Sequence, residues 1–99
     1  MQLEKISGIG PWEEEKRSGD ILYRVPQGKV FLVRRAKTIE VRCDAELGGV
    51  LREKYESVME SRYFGKGGVE IVPSGQLSET EIEDLVRLSY NLTKGMSND

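Results

Sequence analysis

The groups in this chain that could do chemistry are one thiol, several runs of carboxylates and a scatter of arginines and lysines. Cys43 is the only cysteine, and histidine is absent. That combination removes an intrachain disulfide, the common zinc ligand sets, Ser-His triads and every histidine-based proton transfer. An enzyme would have to work through carboxylates, Lys or Tyr, and a metal through oxygen ligands alone. The carboxylates do not converge. Glu13, Glu14 and Glu15 are consecutive, so on a strand at most two of them share a face. Glu79, Glu81, Glu83 and Asp84 fall at a helix start, where the macrodipole already accounts for them. Cys43 belongs to an alternating apolar set with Ile39 and Val41 and reads as a small buried hydrophobe, with no histidine to activate it. Catalytic residues, a metal and a cofactor are therefore not expected.

What remains is binding. Arg34, Arg35 and Lys37 cluster on one link between strands, and Arg62 and Lys66 flank the aromatic pair Tyr63-Phe64 on another. Residues of these types contact phosphates, release counterions and make binding salt-dependent, while Tyr63 or Phe64 could stack on a base. The segment Gly65-Lys66-Gly67-Gly68 would let backbone amides approach a phosphate, but it lacks the spacing of a P-loop. The overall pI of 5.3 is unlike that of domains that bind duplex strongly. Charge is uneven along the chain: residues 1–43 carry nine Lys/Arg and six Asp/Glu, and residues 44–99 carry six and eleven. This asymmetry fits either a basic face built from the first strands or ordinary surface decoration.

The elements that must hold these residues are legible from pattern and punctuation. Ninety-nine residues make one domain, with a single layer of core side chains between two layers of structure. Residues 1–19 read as an irregular arm, in which Trp12 to Arg17 is either an edge strand or unstructured and Trp12 lies over the sheet edge. From Asp20 the chain alternates, turns at Pro26-Gln27-Gly28 and returns through Val30 to Val33, which is a hairpin with a three-residue loop and a glycine bulge. Both strands are apolar on two faces, which predicts a covering layer. Thr38 to Asp44 is the cleanest strand, with Ile39, Val41 and Cys43 on one side and Thr38, Glu40, Arg42 and Asp44 on the other. Asp44 caps a helix whose apolar face is Leu47, Val50, Leu51 and Tyr55; Gly48-Gly49 in its middle implies either a closely approaching neighbour or a soft helix. A second hairpin follows, Val58 to Tyr63 and Val69 to Val72, around a loop at 64–68. The last helix opens with a capping box, Ser78 and Glu81, and a staple between Leu77 and Ile82, and shows Ile82, Leu85, Val86, Ser89, Leu92 and Thr93 on one face. Gly95 suits its C-terminal stop, and residues 95–99 read as a frayed tail.

Tyr23-Arg24-Val25, Gly28-Lys29-Val30-Phe31, Ile39-Glu40-Val41-Arg42-Cys43-Asp44, Glu46-Leu47 and Leu51-Arg52-Glu53-Lys54-Tyr55 resemble the MmcQ/YjbR family. So do Gly75-Gln76-Leu77 and the run from Leu85 to Leu92, which contains Ser89-Tyr90. The similarity runs from about Asp20 to Leu92, and there is a more distant likeness to the N-terminal domain of TfoX-type competence regulators. The resemblance implies a frataxin-like (CyaY-like) α+β two-layer sandwich, an antiparallel sheet with helices on one face. It also implies DNA binding through a double wing of strand-connecting loops. The chain departs from the family pattern in three places: the first helix is reduced to Met1–Ile6, the link Arg34-Arg35-Ala36-Lys37 is short, and Lys66-Gly67-Gly68-Val69 stands where relatives carry Lys-Arg-His-Trp. The expectation is a non-catalytic protein that binds DNA weakly through Arg34, Arg35, Lys37, Arg62, Tyr63 and Lys66. The alternative is a protein-interaction module or accessory subunit that does not bind nucleic acid. The first five residues lack the apolar core of a signal peptide, and no apolar run is long enough to cross a membrane, so a cytoplasmic location is the default.

Overall fold

In the computed structural model, which describes residues 2–96, the chain from Glu13 onward builds a sheet of six antiparallel strands. The strands are β1 (Glu13–Arg17), β2 (Asp20–Arg24), β3 (Val30–Arg34), β4 (Ile39–Arg42), β5 (Val58–Ser61) and β6 (Gly65–Ile71). Their spatial order is β1-β2-β3-β4-β6-β5. Helix α1 (Ala45–Lys54) packs on β5 and β6, and helix α2 (Glu79–Lys94) packs on β3 and β4. The result is an α+β fold whose main core lies between the sheet and the two helices. No helix is long and apolar enough to cross a membrane among the described residues.

The stretch expected to be an irregular arm contains a strand. Ser18 (φ 46°) and Gly19 (φ 90°) both take positive φ, which is the two-residue turn whose twist matches a hairpin, and it folds Glu13–Arg17 back onto Asp20–Arg24. Every residue of this edge strand is charged, which discourages pairing with a further chain. Ahead of it, Leu3 and Ile6 are buried in the core, Trp12 packs against the core from the side, and the Tyr90 hydroxyl donates to the Pro11 carbonyl at 2.8 Å.

The first long hairpin forms as its turn chemistry requires. Val25 and Lys29 close a loop over Pro26–Gly28, with Gly28 at φ 103°. The bulge falls one residue into β3: Tyr23 pairs with Leu32 and Arg24 with Val30, which leaves Phe31 extra. Phe31 and Leu32 therefore both join the helix-side core, while Leu22, Val30 and Val33 form a smaller cluster on the opposite face. There the predicted covering layer is Phe64.

Both helix starts conform to expectation. Asp44 accepts from the Leu47 amide at 2.8 Å, and Ser78 and Glu81 make the reciprocal capping box. Gly48 is the close approach: a β-carbon there would lie 3.5 Å from Cys43 Sγ and from Val69 Cγ1, whereas Gly49 faces outward. Val50 and Leu92, expected on the apolar faces, are exposed because the sheet turns no surface toward them. Gly95 caps α2 at φ −84° without using left-handed backbone, and the Met96 amide bonds to the Thr93 carbonyl at 3.1 Å. Of the expected tail 95–99, residues 97–99 lie outside the described residues.

The second hairpin differs most from its sequence reading. β5 ends at Ser61, the loop is Arg62–Phe64, and the glycine segment expected as a loop is the start of β6. Gly65 turns the corner at φ 61°, and Lys66 thus belongs to a strand and not to a loop tip. Gly68 shows why. A β-carbon there would come within 2.7 Å of Phe64 Cβ, so only glycine lets the Phe64 side chain lie flat over β6.

Candidate nucleic-acid interface

The six expected contact residues do not form two adjacent wing tips. β6 starts beside the end of β4, since Gly68 pairs with Arg42 and Ile71 with Ile39. The β3–β4 link and the β5–β6 loop therefore lie at opposite ends of the sheet. The second loop then folds back across the face that the helices leave open, and Phe64 reaches the Leu22, Val30 and Val33 cluster.

Two glutamates hold it there. Glu40 and Glu70 are directly opposite one another on β4 and β6, and both are buried. Glu40, fully inaccessible to solvent, accepts from Ser61 Oγ (2.6 Å), from the Tyr63 amide (2.9 Å) and from Arg35 Nε. Glu70 accepts from Arg62 Nε (2.9 Å) and Nη2 (2.6 Å) and from Thr38 Oγ1 (2.7 Å). Arg35 also reaches Asp20 at 2.6 Å. A buried carboxylate is tolerated only when paired and fully hydrogen-bonded, and both are. Alternation correctly put Glu40 opposite Ile39 and Val41 but gave no sign that a loop would cover it.

Arg35 and Arg62 are thus engaged within the molecule. Arg62 nonetheless keeps its outer edge in solvent: its side chain is 65% exposed, and that of Glu70 beneath it only 5%. Tyr63 is exposed and meets Phe64 edge-on with ring centroids 4.9 Å apart. Arg34 lies away from this group, donating to the Tyr23 hydroxyl at 3.3 Å and lining a cleft of about 280 Å³ with Pro73, Glu79 and Ile82. Lys37 and Lys66 are exposed, each near one end of the sheet.

Arg42 was not among the expected contacts. Its Nε donates to the Val30 carbonyl at 3.0 Å, and its guanidinium sits 4.7 Å from the Phe64 ring centroid. No carboxylate pairs with it among the described residues, and burial lowers its pKa. Farther along the face, Glu15 accepts from Arg24 (2.7 Å) and Arg17 (2.6 Å), which hold its carboxyl below the ordinary range. The one signal in the sequence for Arg42 was its place in the polar half of an alternating strand.

Among the described residues the other face holds no comparable cluster of charged groups. Cys43 is buried under α1, and burial pushes its thiol pKa up, Asp44 adding to the effect. Ser89 Oγ accepts from the Arg42 amide at 2.8 Å and donates to the Phe31 carbonyl at 2.6 Å, tying α2 to the sheet. Tyr90 packs edge-on against Phe31 at 4.9 Å.

A family model described as YjbR matches residues 9–92. The fold is similar to that in a crystal structure of a Pseudomonas syringae protein solved by a structural-genomics consortium, with a TM-score of 0.71 at 19% identity, over 83% of this chain and 86% of that one. It is also similar to the Deinococcus radiodurans protein DR2400, described as a DUF419 domain, with a TM-score of 0.76 at 16% identity, over 94% of this chain and 77% of that one. No curated protein matches the chain significantly.

Proposed function

The chain belongs to the YjbR family, and from that premise we propose that it is a non-catalytic protein that binds nucleic acid with unpaired bases across the open face of its sheet. The observation that carries this reading is Arg42, a guanidinium without a carboxylate partner that sits over the Phe64 ring, which the exposed Tyr63 ring meets edge-on. A cation next to an accessible aromatic face suits a strand whose phosphates and bases are both reachable. Beside this centre Glu70 lies beneath Arg62 and Glu40 beneath Arg35, whereas Glu15 and Asp20 are more exposed than Arg24 and Arg35, with which they pair. At Arg62 an approaching phosphate therefore meets the guanidinium edge before it meets Glu70, the anion that neutralises it. The stacking step favours a single strand over a duplex, because a paired base offers no free face.

The test is an anisotropy titration with a short labelled oligodeoxynucleotide, single-stranded and as duplex. Binding is expected at low salt, tighter for the single strand, and weakening as salt rises. Tyr63→Ala should cost about 1–3 kcal/mol of binding. Arg42→Gln should reduce the slope against log salt by about one. Arg35 is unsuited to such a test, because its loss strands the buried Glu40 and perturbs the fold itself. The absence of a salt-dependent signal, or undiminished affinity in Tyr63→Ala, would refute the reading.

A further inference from the structure

Helix α2 carries more apolar surface than the sheet takes up. Ile82, Val86 and Tyr90 are buried against the strands, but Leu85 and Leu88, at the i, i+3 spacing, lie on the flank toward α1, and Leu92 follows at i+7. Leu88 is 44% exposed and Leu92 41%, and Val50 on the facing helix is 54% exposed. The two helices pack on the sheet and not extensively on each other. Between them runs a cleft of about 470 Å³ lined by Val50, Leu51, Tyr55, Leu77, Leu85 and Leu88.

We propose that this cleft is the docking groove for an amphipathic helix of a partner protein, apolar along the face it inserts and rich in Lys and Arg along its flanks. The shape fits helix-in-groove recognition, in which a row of side chains at helical spacing fills an apolar trough. The charge selects the occupant. Glu81 and Asp84 line the α2 side, and Glu46 and Glu53, exposed four residues before and three after Val50, border the α1 side. Among the described residues Lys54 is the one cation lining the cleft, and Arg87 beside it pairs with Asp84 at 2.7 Å, which leaves Glu81, Glu46 and Glu53 to set the charge of the borders. A second copy of this chain, docked groove to groove, would bring its own acidic borders against these, whereas a basic helix neutralises them.

The site lies on the opposite side of the sheet from Tyr63 and Arg42, so its fate is independent of nucleic-acid binding. The probes are two synthetic helical peptides with the same leucine row, one flanked by Lys and the other by Glu, titrated into the full chain and followed by amide chemical shifts. The Lys-flanked peptide should bind on the order of tenfold more tightly than the Glu-flanked one and move the resonances of Val50, Leu85 and Leu88. Leu88→Asn, an exposed change whose fold is checked by circular dichroism, should weaken that binding on the order of tenfold. Equal affinity for the two peptides, no binding of either, or shifts confined to the open sheet face would overturn the proposal. So would a concentration-dependent dimer of the free protein that Leu88→Asn dissolves, since that result would put a second copy in the groove.

Discussion

Glu70 and Arg62 link a single pair of side chains to the acid stability of the whole protein. The Arg62 guanidinium holds the Glu70 carboxyl below its ordinary value of 4.5, against the opposing effect of burial and with help from Thr38. A carboxyl whose pKa is lower in the folded than in the unfolded chain contributes stability that is complete above the unfolded value. That contribution is lost as pH falls through the folded one. The native protein should therefore be more stable than Arg62→Gln by a constant margin above about pH 5, and the margin should close as the solution becomes more acidic. Glu15 and Glu81 are also held low, by Arg24 and by the Ser78 amide respectively, but both proteins retain them and their share cancels. Urea midpoints of the two proteins across that range measure the margin directly. A margin that stays constant into acid would mean that Arg62 stabilises the loop without acting on Glu70.

Glycine has opposite uses in two of the elements. Gly49 sits on the outer side of α1 with only Arg52 Nη2 nearby, 4.0 Å from where a β-carbon would lie. Gly49→Ala should stabilise the protein by about 0.5–1 kcal/mol by restricting the unfolded chain. Gly68 in β6 has no such room, because a β-carbon would meet the Val41 carbonyl and the Phe64 ring. Gly68→Ala should cost about 1–3 kcal/mol and lift Phe64 from Leu22, Val30 and Val33. Calorimetric melting of both variants separates the two cases, and a stabilised Gly68→Ala would show that the loop does not depend on that contact. These glycines also mark the limits of local reading. Gly48-Gly49 was recognisable as a break in helix propensity, but which of the two met a neighbour depended on where Cys43 and Val69 would be. Gly65 to Gly68 read as a loop because glycine is a turn residue, whereas here it thins a strand so that an aromatic ring can lie across it.

The molecule as a whole separates its two candidate surfaces. Strands β1 to β4 come from the half of the chain with a cationic excess, and both helices come from the anionic half. The open sheet face and the interhelical groove lie on opposite sides of one rigid layer. Saturating the protein with oligonucleotide should therefore leave the affinity for the Lys-flanked peptide within about twofold of its free value, measured in a paired titration. A change beyond about fivefold would require the sheet to transmit a conformational difference between its faces. The order of elements from Asp20 onward, the caps of both helices, the β2–β3 hairpin and the burial of Cys43 were all legible in the residues, because each follows from rules acting over a few positions. The two-sided apolar pattern of β2 and β3 even announced a cover on the second face. It did not name Phe64 as that cover, and it gave no sign that Arg35 and Arg62 would be paired with Glu40 and Glu70. Alternation settles which face of a strand a side chain occupies, but burial and charge pairing depend on which distant segment comes to lie over that face. Ser61 and Tyr63 reach Glu40 across more than twenty residues of sequence, and only the folded chain brings them there.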